Sequence, residues 1–170
     1  PIAPLLTTVL LSLTTVLASP AHAQWSRVTA LPARDIFTVF ANDDTIVAAA
    51  DTLAFVSTDG GVTFHPTTKP AVGVRIIQAV RLRNGRLFVG TGGQGVFVSD
   101  NLGVTWQAFN QGLVGGLFNS QLDVSNLEVR GDSLFAGTFG AGVYVRGFSA
   151  NAWQHFGEVF EENQAPNIDA

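Results

Sequence analysis

Apolar residues alternate with small or polar ones over most of the chain between about residues 36 and 156, in short runs separated by Gly, Asn, Asp and Ser. A period of two is typical of strands that bury one face, whereas an amphipathic helix repeats every three to four residues. Asn84-Gly85 is a strong hairpin signal because both central positions of a type I′ turn need positive φ. Gly131-Asp132 stands at the matching place further on. The pattern therefore predicts an all-β chain built from hairpins.

One eight-residue turn occurs twice, at residues 57–64 and again 42 residues later, with the spelling S-x-[DN]-x-G-x-T-[FW]. We call the two copies the octapeptide turns. Their recurring residues are Ser57, Asp59, Gly61, Thr63 and Phe64 in the first copy and Ser99, Asn101, Gly103, Thr105 and Trp106 in the second. An Asp or Asn side chain accepts hydrogen bonds from nearby backbone N–H groups, and Gly adopts positive φ at little cost.

The change from Asp59 to Asn101 distinguishes a structural from a catalytic role. Asn keeps the acceptor oxygen and loses the negative charge, so a backbone-bonding function survives the change while acid, base or metal-ligand chemistry does not. We therefore predict a structural role for these turns. The large apolar side chains that close them, Phe64 and Trp106, are predicted to return to the core.

A longer repeat surrounds the octapeptide turns. Residues 87–98 align with residues 134–145 at an offset of 47, and the same offset takes Trp106 to Trp153. At an offset of 42 in the other direction, Phe97 falls on Phe55 and Val89 on Val47. Three copies of a unit this long are expected for the four-stranded blades of a propeller. The third copy keeps only Trp153 of the octapeptide, so its turn at residues 146–153 should be built differently.

These motifs resemble the Asp-box, or bacterial neuraminidase repeat, of sialidase-type β-propellers. The pattern G-T-x-G-x-G-V-[FY] followed by an Asp-box is most similar to repeat proteins related to photosystem II stability and assembly factors. The resemblance covers about residues 25–156 and implies an all-β fold, a β-propeller fragment of about three four-stranded antiparallel blades. It also implies that the loops between the second and third strands of each blade, together with the inter-blade connections, form the ligand face, opposite the Asp-boxes.

The repeat divides the chain into expected segments. They are residues 24–156 for the propeller part, with 25–32 as the outer strand of a closing blade, 33–67 as blade one, 72–112 as blade two, 122–156 as blade three, and 157–170 leading to blades missing from this sequence. The outer strands are predicted near residues 62–65, 104–109 and 152–156. Because three blades do not close a ring, we expect a fragment of a longer protein, with edge pairing in an oligomer as the alternative.

The first 23 residues are predicted to be an export signal. Residues 5–17 are uncharged and mostly apolar, and Ala21-His22-Ala23 matches a small-x-small cleavage pattern. The usual basic start is missing, so the signal is expected to be truncated; an uncleaved anchor is the alternative. With no Cys in the sequence, a secreted or periplasmic protein without disulfides is predicted, and without a stable membrane span after cleavage.

Charge and composition limit the chemistry. A net charge of −4 without a basic stripe argues against nucleic-acid binding. No set of His and carboxylate residues has metal-ligand spacing, and the Gly-rich segment at residues 90–95 lacks the Lys-Ser/Thr of a phosphate loop. We therefore expect no metal and no cofactor. Arg75, Arg81 and Arg83 share strand parity and suggest either a small anion-binding strip or a solvated strand end.

The predicted ligand face offers little reactive chemistry. Its candidate residues are Asp51, Thr91, Gln94, Thr138 and Phe139 on the loops between second and third strands, and Phe118 and Asn119 on the connection between blades two and three. Hydrolysis of a glycoside ordinarily needs two carboxyl groups or a Tyr nucleophile. The loops contain one carboxylate, Asp51, and the only Tyr, Tyr144, is placed mid-strand as a core residue. We predict no catalytic residue in this chain.

Two functions remain open from the sequence. The first is an exported, non-catalytic propeller segment that acts as a binding or assembly scaffold for an unidentified protein or carbohydrate partner. The alternative is a fragment of a secreted glycoside hydrolase, sialidase- or xyloglucanase-like, with its catalytic residues in missing blades.

Overall fold

The described part of the chain forms three antiparallel sheets of four strands each. A computed structural model of the chain describes residues 27–31, 35–74, 77–113 and 122–157. Its strands are β1 (Thr38–Asn42), β2 (Thr45–Ala50), β3 (Leu53–Ser57), β4 (His65–Pro66), β5 (Ile77–Arg83), β6 (Arg86–Thr91), β7 (Gly95–Ser99), β8 (Gln107–Ala108), β9 (Val124–Arg130), β10 (Ser133–Thr138), β11 (Gly142–Gly147) and β12 (Gln154–Phe156). The predicted all-β fold is confirmed.

Each sheet is one blade whose strands follow one another in sequence. Blade one has the order β1-β2-β3-β4, blade two β5-β6-β7-β8, and blade three β9-β10-β11-β12. The first strands are neighbours in space, because β5 packs against both β1 and β9. This is the arrangement of a β-propeller, in which successive blades surround an axis and pack face to face.

The first hairpin of each blade is a tight turn that contains a residue at positive φ. Asn84 and Gly85 have φ of 49° and 75°, as a type I′ turn requires. The matching positions Asp43 and Gly131 have φ of 49° and 57°. The predicted turns at Asn84-Gly85 and Gly131-Asp132 are therefore confirmed, and blade one has an equivalent turn at Asp43-Asp44.

The cores lie between blades, and strand alternation divides each sheet into two packing faces. Leu87, Val89 and Phe97 of blade two pack toward blade one, with Val47 and Val56. The other face of blade two packs toward blade three; its residues are Phe88, Val96, Val98 and Phe109, opposite Leu127, Leu134, Ala136, Tyr144 and Trp153. Each fully buried Leu or Phe contributes roughly 1.5–3 kcal/mol. Tyr144 is a core residue, as predicted.

The fourth strands are shorter than predicted. In blades one and two they begin only at His65 and Gln107, after the octapeptide turns. Val62 and Val104, predicted to lie in strands, are 73% and 64% exposed. Their alternation resembles a strand, but the following N–H groups bond to side chains within the turn, as described below, and so do not join a ladder.

The alignment of Val89 with Val47 was wrong by one residue. Val47 pairs with Val56, whereas the residue that pairs with Val98, the equivalent of Val56, is Phe88. The cause is the loop between the second and third strands, which joins Ala50 to Leu53 in blade one but Thr91 to Gly95 in blade two. Because side chains alternate between faces, an alignment that is correct in the third strand then assigns every residue of the second strand to the wrong face.

Several sequence predictions fall largely outside the described residues. Residues 1–23, the predicted signal, lie there, as do all but the first residue of 157–170. Of the predicted closing strand at 25–32, residues 27–31 are described and contain a turn without strand pairing. Among the described parts of the chain, no helix is both long and apolar enough to cross a bilayer.

Candidate functional site

The propeller presents two ends that differ in chemistry. The turn end carries the octapeptide turns and the first hairpin turns, which meet where the Gly60 N–H donates to the Asp44 carbonyl at 2.9 Å. The loop end carries the loops at residues 51–52, 92–94 and 139–141 and the connections between blades. A hydrogen bond from the Phe139 N–H to the Asp123 carbonyl, 2.8 Å, joins two parts of the loop end.

The octapeptide turn of blade one is held by its own side chains. The Ser57 hydroxyl accepts the Gly61 N–H at 2.9 Å and donates to the Asp59 carboxylate at 2.7 Å. That carboxylate accepts both the Thr63 N–H, at 2.9 Å, and the Thr63 hydroxyl. These hydrogen bonds lower the pKa of Asp59 to about 2. The largest contribution comes from the Thr63 hydroxyl, followed by the Thr63 N–H and the Ser57 hydroxyl. Asp59 is therefore ionised at neutral pH and stays so in mild acid.

The octapeptide turn of blade two has the same bonds with an amide in place of the carboxylate. The Ser99 hydroxyl accepts the Gly103 N–H at 2.8 Å, and the Asn101 Oδ1 accepts the Ser99 hydroxyl and the Thr105 N–H, both at 2.9 Å. The Asn101 Nδ2 donates to the Thr105 hydroxyl at 2.9 Å, so that hydroxyl accepts where the Thr63 hydroxyl donates. In both copies, therefore, the polar side chains bond to one another and to the backbone of their own turn.

The residues that close the octapeptide turns link neighbouring blades. The Trp106 indole N–H donates to the Thr68 carbonyl of blade one at 3.0 Å, and the Trp153 indole donates to the Phe109 carbonyl of blade two at 2.5 Å. Phe64 stands at the same place in blade one, and its side chain has no N–H to donate. Gly103 has φ of 89° and lies against Thr67, where a Cβ would overlap the Thr67 methyl group.

The turn of blade three is built differently, as predicted. Arg146 stands where the octapeptide has Ser99, and its Nε donates to the Ala150 carbonyl at 3.1 Å. Its guanidinium lies 3.6 Å from the centre of the Phe109 ring in blade two. Burial, and to a lesser extent the charge of Arg86, lowers the pKa of Arg146. The repeat alignment marks Arg146 as a departure, but its aromatic partner is not visible in the sequence.

The polar residues predicted for the loop end bond within the protein. The Thr91 and Thr138 hydroxyls donate to the Gly95 and Gly142 carbonyls across their own loops, both at 2.8 Å. The Gln94 amide donates to the Val72 carbonyl of the connection from blade one at 3.2 Å.

The remaining loop-end candidates differ in exposure and position. Asp51 is exposed, with φ of 51°, and lies in the loop of blade one. Phe139 is 74% exposed at the tip of the blade-three loop. Phe118 and Asn119 lie outside the described residues. The structure therefore places the five described candidates at one end of the molecule, distributed over three blades.

The arginines suggested as an anion-binding strip are paired with acids. Arg81 bonds to Glu128 of blade three at 2.6 Å, and its hydrogen bond lowers the pKa of that carboxyl. Arg83 lies 3.7 Å from Asp132. Arg75 lies outside the described residues. The carboxylates of blade three thus balance the two described arginines, which argues against the strip.

A groove lies at the turn end between blades one and two and encloses about 300 Å³. Its lining residues are Val56, Thr58, His65, Pro66, Asn101, Leu102 and Val104. No sequence motif points to this groove, because its walls come from two blades. Within the described ranges, no group of three or more His, Cys, Asp or Glu residues could hold a metal ion.

No protein-family model matches the sequence, and no curated protein matches it. Among solved structures, the chain is similar to one described as YCF48 bound to D1 peptide, with 18% identity, a TM-score of 0.52 and coverage of 70% of this chain. It spans 39% of that protein's length. The computationally designed Ika4 protein is 16% identical, with a TM-score of 0.46, and the match covers 64% of this chain and 63% of that protein. A GH74 xyloglucanase from Xanthomonas campestris is also 16% identical, with a TM-score of 0.45, and the match covers 66% of this chain and 21% of that enzyme. At these identities the likeness concerns the fold alone, and the chain has the fold of three β-propeller blades.

Proposed function

We propose that this chain is part of an exported, non-catalytic β-propeller of the Asp-box type that serves as a binding or assembly scaffold for a protein partner. The observation that carries the proposal is the use of the polar side chains. In both octapeptide turns, and at Thr91 and Thr138, the conspicuous polar groups bond to their own backbone. Such side chains shape loops rather than transform a substrate.

A peptide is the partner class that the loop end fits best. Phe139 presents an exposed aromatic ring, and aromatic side chains are enriched at the centres of protein interfaces. Loops on a rigid sheet scaffold are where binding residues are ordinarily placed. The similar solved propeller is described as bound to a peptide, which supports a peptide over a carbohydrate for this chain as well.

Selection of binders from a displayed peptide library against the purified chain tests this proposal. Replacing Phe139→Ser should weaken the selected peptides at least about tenfold, because an interface anchor contributes roughly 2 kcal/mol or more. Val104→Ser is the matched control, since Val104 is an exposed apolar residue at the turn end. Binding that withstands Phe139→Ser but is lost with Val104→Ser would place the interface at the turn end and refute the proposed site.

The competing function is hydrolysis of a glycoside. An assay of the complete gene product on xyloglucan and sialosides addresses it. Turnover that disappears when a loop-end carboxylate is replaced, for example in Asp51→Asn, would overturn the scaffold proposal. We expect no turnover.

Export is the proposed location, on the strength of residues 5–17 and Ala21-His22-Ala23. A reporter fused after residue 30 should be exported, with processing between Ala23 and Gln24. Retention of the fused reporter in the cytoplasm would contradict the proposal.

A further inference from the structure

Three arginines lie together at the turn end, where blade two meets blade three. Arg83 ends β5 and Arg86 begins β6, and the two stand directly opposite each other in the strand ladder. Residues paired in this way carry their side chains on the same face of the sheet, here the face toward blade three that also bears Phe88. Arg146 reaches this place from blade three. We call Arg83, Arg86 and Arg146 the turn-end arginines.

Aromatic rings hold two of these guanidinium groups close to each other. The Arg146 guanidinium lies 3.6 Å from the centre of the Phe109 ring. The Arg86 guanidinium lies 5.9 Å from the same ring centre and 5.4 Å from that of Phe88. A guanidinium beside a ring is attracted by the ring electrons and partly shielded from water. Strand pairing and the rings therefore gather three like charges in one small region.

The neighbouring carboxylates do not neutralise this group completely. Arg86 pairs with Asp100 at 2.7 Å, and Arg83 lies 3.7 Å from Asp132. The side chains of these two acids are 64% and 99% exposed. Among the described residues, Arg146 has no carboxylate within ion-pair distance. One positive charge is therefore left over.

Most of the hydrogen-bond donors of these side chains are unused. A guanidinium has five N–H groups. Arg86 and Arg146 each use only the Nε donor, on the Asp100 carboxylate and the Ala150 carbonyl, so their Nη groups make no hydrogen bond within the described chain. The Nε of Arg83 is buried and has no partner among the described atoms, which is unfavourable for a donor.

Arg81, on the same strand as Arg83, shows the contrast. Its two Nη groups donate to the Val80 carbonyl, at 2.8 Å, and to the Glu128 carboxylate, at 2.6 Å. Arg81 is therefore satisfied by the protein itself, whereas the turn-end arginines are not.

We propose that the turn-end arginines bind a tetrahedral oxyanion, phosphate or sulfate, as the free ion or as an ester on a larger partner. The donors come from two blades, and a tetrahedral anion presents oxygens in several directions, so it can bridge them. A carboxylate has two oxygens in one plane, which a single guanidinium fork already occupies. The bound anion also removes the repulsion among the three cations. This site goes beyond the peptide site, since it lies at the opposite end of the molecule.

Arg83 can join the bound anion with little loss of existing contacts. Its Nε makes no hydrogen bond in the described chain, and its only acidic neighbour there, Asp132, is 3.7 Å away and almost fully exposed. Exposed ion pairs of this kind contribute little to stability. Arg83 is therefore the arginine that we expect to turn when the anion binds.

Titration of the purified chain with inorganic phosphate tests the proposal, with sodium chloride keeping the ionic strength constant. We expect saturable shifts of the Arg86 and Arg146 Nε–H signals in NMR spectra, with a dissociation constant of about 1 mM or tighter, as a few charge-assisted hydrogen bonds allow. Methyl phosphate separates the two sources. Equal affinity assigns an ester on a partner, and affinity weaker by about tenfold or more assigns the free ion.

Variants with matched charge separate a built site from general attraction. Arg146→Ala should weaken phosphate binding at least about tenfold, and Arg146→Lys about threefold or more, because lysine keeps the charge but lacks the fork of donors. Arg130→Ala is the control. Arg130 is exposed and pairs with Ser133, on the face of blade three opposite to Leu134, so its removal should change binding less than about twofold. Preserved dispersion of the amide signals shows that each variant is folded.

Three results would overturn the proposal. The first is a set of shifts that grow with phosphate without saturating, and the second is an effect of Arg130→Ala as large as that of Arg146→Ala, since both indicate only general attraction by charge. The third is acetate binding as tight as phosphate binding, which would show that the arginines do not require a tetrahedral anion.

Discussion

The turns of blade two and blade three connect equivalent strands with different chemistry. In blade two, the Ser99 hydroxyl and the Asn101 amide bond to the backbone of the turn. In blade three, the Arg146 guanidinium stacks on Phe109 of the neighbouring blade, and Phe148 packs 5.7 Å from Phe88. One turn is held from within and the other by the blade beside it. Strand pairing is preserved in both, so the polar octapeptide is one of two ways to close a blade.

The feature that both turns keep is the closing tryptophan. Trp106 and Trp153 each donate an indole N–H hydrogen bond to a carbonyl of the preceding blade. Blade one has Phe64 instead, which is half-buried like Trp106 but has no indole N–H to donate. The comparison indicates that the octapeptide specifies the local turn, whereas the tryptophan specifies the contact between blades.

Removing the tryptophan of blade three should have the largest effect. Trp153 is 3% exposed, so Trp153→Ala should lower the free energy of unfolding by about 3–5 kcal/mol, measured by urea denaturation. Trp153→Phe should lose less, about 1–3 kcal/mol, because it chiefly leaves the Phe109 carbonyl without its donor. If Phe64→Ala were as costly as Trp153→Ala, the distinction between the closing residues would be wrong.

Gly103→Ala should destabilise more than Gly61→Ala, although both glycines have positive φ. At Gly103 the new Cβ would overlap Thr67 of blade one, whereas at Gly61 it would lie 3.2 Å from the end of the Ile46 side chain. We expect losses of about 2–3 kcal/mol and about 1 kcal/mol in the free energy of unfolding. Equal losses of unfolding free energy in urea denaturation would show that the positive φ alone determines the cost of both substitutions, and that packing against blade one at Gly103 is unimportant.

Ser99→Ala and Arg146→Ala should have smaller effects that appear in different places. Ser99→Ala removes the acceptor of the Gly103 N–H and should cost about 1–2 kcal/mol. Arg146→Ala removes the stack on Phe109 and should cost about 0.5–2 kcal/mol, with the changes in NMR chemical shift extending into blade two. Shift changes confined to blade three would contradict a turn held by its neighbour.

The smallest expected effect is a dependence on pH in the octapeptide turn of blade one, which the octapeptide turn of blade two should not show. The pKa of Asp59 is lowered from 3.8 to about 2, so its stabilising contribution is fully present above about pH 4 and is lost as the pH falls toward 2. Asp59→Asn should remove this dependence, since Asn101 already fills the same position in blade two. A carboxyl NMR titration of Asp59 with a midpoint near 4 would contradict the hydrogen-bonded geometry.

The strands and turns could be predicted because their signals are local. Asn84-Gly85, the octapeptides and the period-two alternation each specify a few neighbouring bonds. What the sequence did not reveal depends on contacts between blades. Examples are the stacking of Arg146 on Phe109, the pairing of Arg81 with Glu128 and the groove beside Leu102.

The misplacement of Val47 has a different cause. A loop that is one residue shorter changes little in an alignment but reverses the side of the sheet on which Val47 lies. The five described loop-end candidates lie at one end of the molecule because each stands in or beside the loop between the second and third strands of its blade. Their hydrogen bonds could not be foreseen, since Gln94 bonds to Val72 in a different blade connection.

Backbone amide exchange at Gly61, Thr63, Gly103 and Thr105 tests most directly whether the recurring side chains hold their own turns. We predict slow exchange at all four amides, and in Ser99→Ala faster exchange at Gly103 while Gly61 stays protected. Rapid exchange at these amides in the unaltered chain, or unchanged protection of Gly103 in Ser99→Ala, would contradict the account.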